Sequence, residues 1–340
     1  MNSKLKLKIS ATVPNSFFLI MLILSCNHNN DVDISTQIET FHLTKQLVID
    51  GNINDSNLFS PVNIVVDKEN KIFLADPYTM EIKVFTTEGD YLFDFGGKGE
   101  SPGKFTFLFY NFAIDTNNLI YFINNENKIE IFDNNGSYIK TIKPNVLSIF
   151  DISAYDSLNI YINQTTTLNG NNKNVILKIN SSGEIIDSFG YVNTDLTDFE
   201  IWKAKHYRSC AIDIDNEGFI YYSSIADYNI FKFNQNGNLI YSIKGDIPFD
   251  VEFEDHTIIP VVWDLCVSEK YLYVLWGQEG QNNGNRVDVY NKNTGDLIGY
   301  FHTQLPTDER NPFIEIINDD IFYTCSFDSC KLYQFKIIWD

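Results

Sequence analysis

The chain has 340 residues, of which 44% are hydrophobic and 15% aromatic, so it is long enough and apolar enough to bury a substantial core. It carries 45 acidic against 25 basic residues, which gives a formal net charge of −20. This balance argues against a basic surface for nucleic acid, and we expect no nucleic-acid partner.

The first 25 residues have the composition of an export signal. Three lysines within the first eight residues precede an apolar core at 16–24, which is too short for a confident membrane span. The core ends at Ser25-Cys26, and a small residue followed by Cys at this point resembles a bacterial lipobox. The resemblance implies that Cys26 becomes the lipidated first residue of the mature protein. The alternative is an ordinary cleaved signal with an incidental Cys.

A lipid anchor at Cys26 would place the protein in the cell envelope. We then expect an outer-membrane lipoprotein on the periplasmic side or at the cell surface, which touches the membrane through its anchor. Residues 26–40 are polar and weakly patterned, and they are predicted to form a flexible tether.

Five copies of one short turn follow along the chain, each lying between two stretches of alternating apolar residues. Glycine suits such hairpin turns because it adopts positive φ at little cost. The turns recur at roughly 50-residue intervals, and a supersecondary unit with such a period marks a repeat architecture. Their glycines are Gly89, Gly136, Gly183, Gly237 and Gly295.

Working outward from these turns gives six units of short strands, but the sixth lacks its fourth strand because no glycine turn follows Phe335. At the other end, residues 41–49 read as a strand that belongs to no unit. An N-terminal strand that completes the last sheet would remove an exposed edge. The sequence therefore predicts an all-β, six-bladed β-propeller over 41–340, with the N-terminal strand closing the last blade.

The first unit, over 60–97, resembles an NHL repeat in its segments 60–67, 72–76 and 82–85 and in the Gly96-Gly97 pair that follows. The chain is also similar to the TolB-like six-bladed propellers that are often bacterial lipoproteins. This resemblance implies a fold and says little about activity, because propellers host many functions.

The candidate ligand site lies on long loops. The connectors 190–209 and 245–261 and the middle hairpins 165–174 and 277–285 are expected on the ring face where propellers usually bind ligands. Their aromatic, cationic and acidic groups suit a polar ligand such as a glycan or a peptide. The alternative is that the loops only cap the ring. The predicted ligand-binding residues are Trp202, Lys205, His206, Arg208, Glu254, His256, Trp276 and Arg286.

Enzymatic activity is the rival hypothesis. A metal-dependent hydrolase, lactonase or lyase would need ligands at the central channel, and His206 and His256 could supply two with Glu254 or His302 as a third. The NHL-type lyases use a histidine zinc site, but this chain has no matching histidine constellation at equivalent blade positions. We therefore predict no metal, no cofactor and no catalytic residue, and we leave the question of an enzyme open, with the negative answer favoured.

Residues 213–218 begin like a calcium-binding loop. Ser224 stands where the bidentate glutamate of such a loop would be needed, so an Asx turn is the better interpretation for Asp215 and for Asp67 and Asp115 in the same place of their units.

The cysteines fall into two classes. Cys325 and Cys330 flank a predicted hairpin tip, where they could face each other at disulfide distance. Cys210 and Cys266 lie in apolar strand patterns, where free Cys acts as a small hydrophobe.

The function that these features favour is a lipid-anchored, exported binding or interaction module. Its partner would be a polar ligand or another envelope protein, and a purely structural envelope subunit is a third alternative.

Overall fold

The computed structural model describes residues 39–51, 58, 60–125, 127–146, 148–164, 175–190, 211–223, 228–245, 253–254, 257–258, 261–276, 286–305, 313–326 and 329–339. The chain divides into two compact units, Met1–Gln37 and Ile38–Asp340, and the described residues belong to the second. Within those ranges no helix is long and apolar enough to cross a membrane.

The regular structure is built from strands. In chain order they are β1 (Glu39–Thr40), β2 (His42–Asp50), β3 (Val62–Val66), β4 (Lys71–Asp76), β5 (Glu81–Thr86), β6 (Tyr91–Gly96), β7 (Leu108–Ile114), β8 (Ile120–Asn124), β9 (Lys128–Phe132), β10 (Tyr138–Ile142), β11 (Ile149–Asp156), β12 (Asn159–Gln164), β13 (Ile176–Ile179), β14 (Ile185–Phe189), β15 (Ala211–Ile214), β16 (Ile220–Ser223), β17 (Asn229–Phe233), β18 (Leu239–Lys244), β19 (Phe253–Glu254), β20 (Thr257–Ile258), β21 (Val262–Val267), β22 (Tyr271–Trp276), β23 (Arg286–Asn291), β24 (Leu297–His302), β25 (Ile314–Ile317), β26 (Ile321–Ser326) and β27 (Lys331–Ile338).

These strands form six principal antiparallel sheets, which confirms the predicted six-bladed propeller. Blades 1 to 4 are β3–β6, β7–β10, β11–β14 and β15–β18, blade 5 contains β21–β24, and blade 6 contains β25–β27 together with β2. The innermost strands β3, β7, β11, β15, β21 and β25 contact one another in a closed cycle, so they surround a central channel.

The N-terminal strand closes the ring as predicted. β2 pairs antiparallel with β27 from His42 opposite Ile338 to Asp50 opposite Lys331. The preceding β1, within the segment predicted as tether, adds parallel to the outer strand of blade 5, with Glu39 opposite Gly299. β1 and β2 together thus contact both of the last two blades, and the sequence did not indicate the contact with blade 5.

The second strand of each blade is a nearly continuous apolar run because both of its faces are covered by neighbouring blades. Between blades 6 and 1, for example, Ile72, Phe85, Tyr323 and Leu332 pack into one buried cluster. The outer strands lie at the rim, and β6 is accordingly much more exposed than β4.

The glycine turns have the predicted conformation. Gly136 has φ +78°, and its N–H donates to the carbonyl of Asp133 at 3.0 Å. The Asp133 carboxylate accepts the N–H groups of Asn135 and Ser137. A register shift between Tyr138 and Lys140 follows, so the hairpin carries a bulge.

In blades 1, 2 and 4 the turns between the first and second strands are Asx turns, as predicted. Oδ1 of Asp215 accepts the N–H groups of Glu217 at 3.0 Å and Phe219 at 2.9 Å. Asp67 and Asp115 accept backbone N–H groups in the same way. Local hydrogen bonding therefore explains why an aspartate recurs at this place.

Candidate functional site

The described strand ends that border the predicted ligand loops lie on one face of the ring. Because each blade is antiparallel, its second strand ends and its third strand begins on the same side. The fourth strand also ends there, before the chain passes to the next blade. We call this side the loop face. Trp276 ends β22 and Arg286 begins β23, so both lie at the loop face of blade 5.

Arg286 and Trp276 are in direct contact, and they belong to a group that we call the Arg286 cluster: Trp276, Arg286, Asp288, Tyr300 and Tyr228. The guanidinium carbon of Arg286 lies 4.5 Å from the centroid of the Trp276 ring and 4.2 Å from that of Tyr300. These are cation–π distances. The Arg286 side chain is 24% exposed, while Trp276 is buried.

Asp288 links the members of the cluster by accepting hydrogen bonds from three of them. Its Oδ1 accepts Nε–H of Arg286 at 2.5 Å, and its Oδ2 accepts Nε1–H of Trp276 at 2.8 Å and the hydroxyl of Tyr228 at 2.7 Å. The residue is only 2% exposed, and a buried carboxylate needs such donors to offset its lost hydration. Since Tyr228 belongs to blade 4, this carboxylate also joins two blades.

The hydroxyls of Tyr228 and of its neighbour Tyr290 stay protonated. Burial, followed by the charge of Asp288, raises the pKa of Tyr228 well above its ordinary value, and the same two causes raise the pKa of Tyr290. The Tyr290 hydroxyl donates to that of Tyr228 at 3.0 Å. Nearby, burial and then Arg286 lower the pKa of His302, which lies opposite Arg286 in the sheet, so His302 is neutral at pH 7.

A second polar region is the central channel, whose cavity has a volume of about 220 Å³ and is lined by the six innermost strands. Polar side chains from these strands link each blade to the next around it. In the first two blades the links are amides. Nδ2 of Asn63 donates to Oδ1 of Asn111 at 3.4 Å, and Nδ2 of Asn111 donates to the carbonyl of Phe150 at 3.2 Å.

Carboxyl groups make the remaining four links. Asp151 accepts the N–H of Ile212 at 2.7 Å, Asp213 that of Val267 at 2.7 Å, and Asp264 that of Ile314 at 2.9 Å. Glu315 is hydrogen-bonded to the backbone of Val66 and so returns to blade 1. The six links therefore form a complete circle, and we call its four acidic members, Asp151, Asp213, Asp264 and Glu315, the channel carboxyls.

The channel carboxyls titrate far above their usual range. Burial raises the pKa of Asp151 to about 8 and that of Asp213 to about 7, against the lowering effect of their backbone hydrogen bonds. Burial also raises the pKa of Asp264 and of Glu315 well above their ordinary values, and the neighbouring carboxyls add to the effect. Ionising all of these acids would place several negative charges close together in a buried channel, and their mutual repulsion makes this unfavourable.

The channel carboxyls are engaged in structural hydrogen bonds. Asp151, Asp213 and Asp264 each also accept the N–H of the next residue in their own strand, so both oxygens of each are occupied. Within the described residues, no group of three or more His, Cys, Asp or Glu side chains is arranged to hold a metal ion.

Of the eight predicted ligand-binding residues, the structure brings two together, Trp276 and Arg286. Glu254 lies in β19, but its side chain is outside the described residues. Outside them too are Trp202, Lys205, His206, Arg208 and His256, and also the predicted lipidation site Cys26.

The predicted disulfide is not formed in the structure, where Cys325 and Cys330 are not bonded to each other. The register explains this difference, because Leu332 lies opposite Cys325 while Cys330 remains in the turn with φ +56°. Cys325 is fully buried, and Cys266 is a buried free cysteine as expected of a small hydrophobe.

Sequence reasoning missed Asp288 and the role of the channel carboxyls. A usable signal was present, since each of these acids interrupts an otherwise apolar strand, as in Val287-Asp288-Val289 and Ile314-Glu315-Ile316. A charged residue in a buried strand must have partners, and this marks a polar network.

Comparison with known proteins agrees with the architecture. A family model described as "6-bladed beta-propeller" matches residues 23–197, just over half of the chain. No curated protein matches the sequence. Among solved structures, a Bacteroides fragilis protein provisionally described as exported is 15% identical with a TM-score of 0.60, over 91% of this chain and 97% of that one.

A catalytically inactive virginiamycin B lyase from Staphylococcus aureus, solved with quinupristin, is 13% identical with a TM-score of 0.56, over 88% of this chain and 100% of that one. At such identities these likenesses show the fold alone.

Proposed function

The chain belongs to the family of 6-bladed beta-propellers, and on that premise we propose that it is an exported, lipid-anchored binding module that holds a polar ligand or an envelope protein at its loop face. The ring supplies a rigid frame, and the loops and the Arg286 cluster supply the contacts.

The observation that carries this proposal is the Arg286 cluster. A cation that is partly exposed, covered by two aromatic rings and held by a buried carboxylate is ordered before any ligand arrives. Pre-ordering of this kind reduces the entropy lost on binding. Charged side chains that only cap the ring and bind nothing would not need to be ordered in this way.

Export and lipid anchoring rest on the N-terminal sequence. The apolar core followed by Ser25-Cys26 supports them. Replacing Cys26 with Ala should abolish incorporation of labelled palmitate and move the protein from the membrane fraction to the soluble fraction. Unchanged labelling of the C26A variant would contradict the anchor.

Binding is tested with the purified full-length chain on arrays of glycans and of peptides. We expect at least one class of ligand to bind, and the Arg286→Met variant to bind it more weakly. Lys331→Met is the matched control, because Lys331 also begins a third strand at the loop face, is 31% exposed and pairs with an acid, Asp50. Absence of any binding by the wild type would contradict the proposed function.

The alternative enzyme, a metal-dependent hydrolase, lactonase or lyase acting at the channel, finds less support. It would need side chains grouped to hold a metal ion, whereas no group of three or more His, Cys, Asp or Glu side chains in the described part of the chain is arranged in this way. Each channel carboxyl of blades 3 to 5 also accepts two backbone N–H groups. Metal analysis of the purified chain discriminates the two hypotheses, since the enzyme requires a stoichiometric ion and the binding module does not.

A further inference from the structure

The contacts of Arg286 restrict which ligands the loop face can bind, because they limit the direction from which a ligand can reach the guanidinium. The guanidinium carbon lies over two aromatic rings, 4.5 Å from the centroid of the Trp276 ring and 4.2 Å from the centroid of the Tyr300 ring. The two rings therefore cover part of the guanidinium with protein contacts. We infer that a ligand reaches the part that the rings leave uncovered.

The edge of the guanidinium retains most of its hydrogen-bond donors. An Arg side chain carries five N–H donors in a rigid fork. Among the described residues, the side-chain hydrogen bond of Arg286 is the one from Nε to Asp288. The two terminal nitrogens, with four N–H groups, thus have no partner in that part of the structure, and the side chain is 24% exposed.

The bond to Asp288 also fixes the rotation of the fork. Asp288 is itself fixed, since its other oxygen accepts from Trp276 and from Tyr228. The guanidinium therefore cannot turn its terminal nitrogens inward without losing a charge-assisted hydrogen bond to a buried carboxylate. The terminal nitrogens are thus left for a ligand on a side chain that is 24% exposed, and the fork that they form matches the geometry of planar oxyanions.

The surroundings reinforce the choice of an anionic group. His302 lies opposite Arg286 in β24 and packs edge-on against Tyr300 with ring centroids 5.8 Å apart. It supplies an imidazole that can donate a hydrogen bond without adding an anion. In a chain with a formal net charge of −20, a carboxylate ligand needs such a local donor set to offset the repulsion of the whole protein.

We propose that Arg286 is the anion-recognition residue of the loop face and that the ligand presents a carboxylate group, which binds end-on to the two terminal nitrogens of Arg286. This inference rests on the proposed binding function and names the ligand chemistry of that site. A carboxylate could come from an acidic sugar or from a peptide C-terminus, and the experiment separates these sources.

The test is isothermal titration calorimetry on the purified full-length chain with four probes in two matched pairs. The first pair is galacturonate and galactose, and the second is acetyl-alanyl-alanine and its C-terminal amide. We expect the acid of one pair to bind about tenfold or more tightly than its neutral counterpart. The pair that shows the difference identifies the source of the carboxylate.

Two variants assign the effect to Arg286. Arg286→Met should lose about tenfold or more of the affinity for the acid and leave that for the neutral probe unchanged. Arg286→Lys keeps the charge but lacks the fork, so it should recover only part of the affinity. Lys331→Met is the control at the equivalent place of blade 6 and should match the wild type. Circular dichroism verifies that all variants are folded.

The outcomes separate this inference from the proposed function. If the arrays show ligands but the acids bind no better than the neutral probes, or if Arg286→Met keeps full affinity, the carboxylate assignment is wrong while the binding function stands. Failure of both acids to bind at concentrations of about 10 mM also overturns the assignment. If the arrays show no ligand at all, the proposed function fails as well.

Discussion

The Tyr228 hydroxyl donates a 2.7 Å hydrogen bond to Oδ2 of Asp288, across the boundary between blades 4 and 5. The two residues are 60 positions apart in the chain. Because the same carboxylate anchors Arg286, a hydrogen bond between blades also sets the position of the candidate ligand site.

The first prediction concerns this hydrogen bond. Replacing Tyr228 with Phe removes one of three donors to a buried carboxylate and should lower the free energy of unfolding by about 1–3 kcal/mol. Urea denaturation measures the change. Tyr138→Phe is the control, since its hydroxyl bonds Thr141 at an exposed site and its loss should cost little. Equal stabilities of the Tyr228→Phe variant and the wild type would show that the bond contributes nothing.

The second prediction is the pH dependence of stability. Folding raises the pKa of Asp213 from 3.8 to about 7 and that of Asp151 to about 8. A carboxyl whose pKa rises on folding binds more protons in the folded state, so its contribution is fully present below the unfolded pKa and is lost as pH rises through the folded pKa. The free energy of unfolding should therefore decrease as the pH rises from 5 to 8, by up to about 1.4 kcal/mol per pH unit for each net proton, and the urea midpoint should decrease with it.

This sign is opposite to ordinary acid denaturation and so can be recognised. His302 has the opposite effect on stability, because its lowered pKa adds stability as the pH rises. The effect of this one imidazole is outweighed by that of the four channel carboxyls. A urea midpoint that rises steadily from pH 5 to 8 would mean that the channel carboxyls are ionised throughout.

The third prediction isolates one channel carboxyl. Asp213→Asn removes a titrating group, so the fall in stability between pH 6 and 8 should become smaller. At pH 5 the variant should be less stable by about 1–3 kcal/mol, because an amide offers one acceptor for the two N–H groups of Ile214 and Val267. The same denaturation series measures both effects. A pH profile parallel to that of the wild type would exclude Asp213 as a source of the dependence.

The fourth prediction tests ring closure. Ile49 of β2 is 1% exposed and packs between blades 6 and 1, whereas its neighbour Val48 is 36% exposed. Ile49→Ala should cost about 2–5 kcal/mol of stability, since it opens a cavity in the core. Val48→Ala should change it by about 0.5 kcal/mol or less. Thermal unfolding compares them, and similar losses would mean that β2 is not seated in the last blade as described.

The fifth prediction separates two costs at glycine turns. Gly136 and Gly97 both have positive φ, so an Ala at either is strained by about 1 kcal/mol or more. At Gly136 the added Cβ would also lie 2.7 Å from ring atoms of Phe95, whereas at Gly97 it meets the mobile end of Lys104 at 3.2 Å. Gly136→Ala should therefore be the more destabilising of the two in urea denaturation, and the reverse order would refute the clash.

The fold could be predicted because its signals are local. The alternation of apolar residues and the glycine turns depend on residues within one hairpin, and five such turns gave five units directly. The closing strand followed from counting, since the sixth unit lacked one strand and β2 had no other partner. The parallel addition of β1 to blade 5 had no local signal, because two polar residues can pair with any open edge.

The site could be predicted only in part. Trp276 and Arg286 stood out as an aromatic and a cation beside a long hairpin, and they are in contact. Asp288 and the channel carboxyls were visible only as charges within apolar strands, and their partners in the neighbouring blades lie about 50 or more residues away in sequence.

The sequence by itself determined the strands, the turns and the number of blades, because backbone conformation and the burial of alternating side chains follow from neighbours along the chain. The tertiary structure decided which polar groups meet. The circle of links around the channel and the orientation of Arg286 each need side chains from different blades, and their distances exist only once the ring has closed.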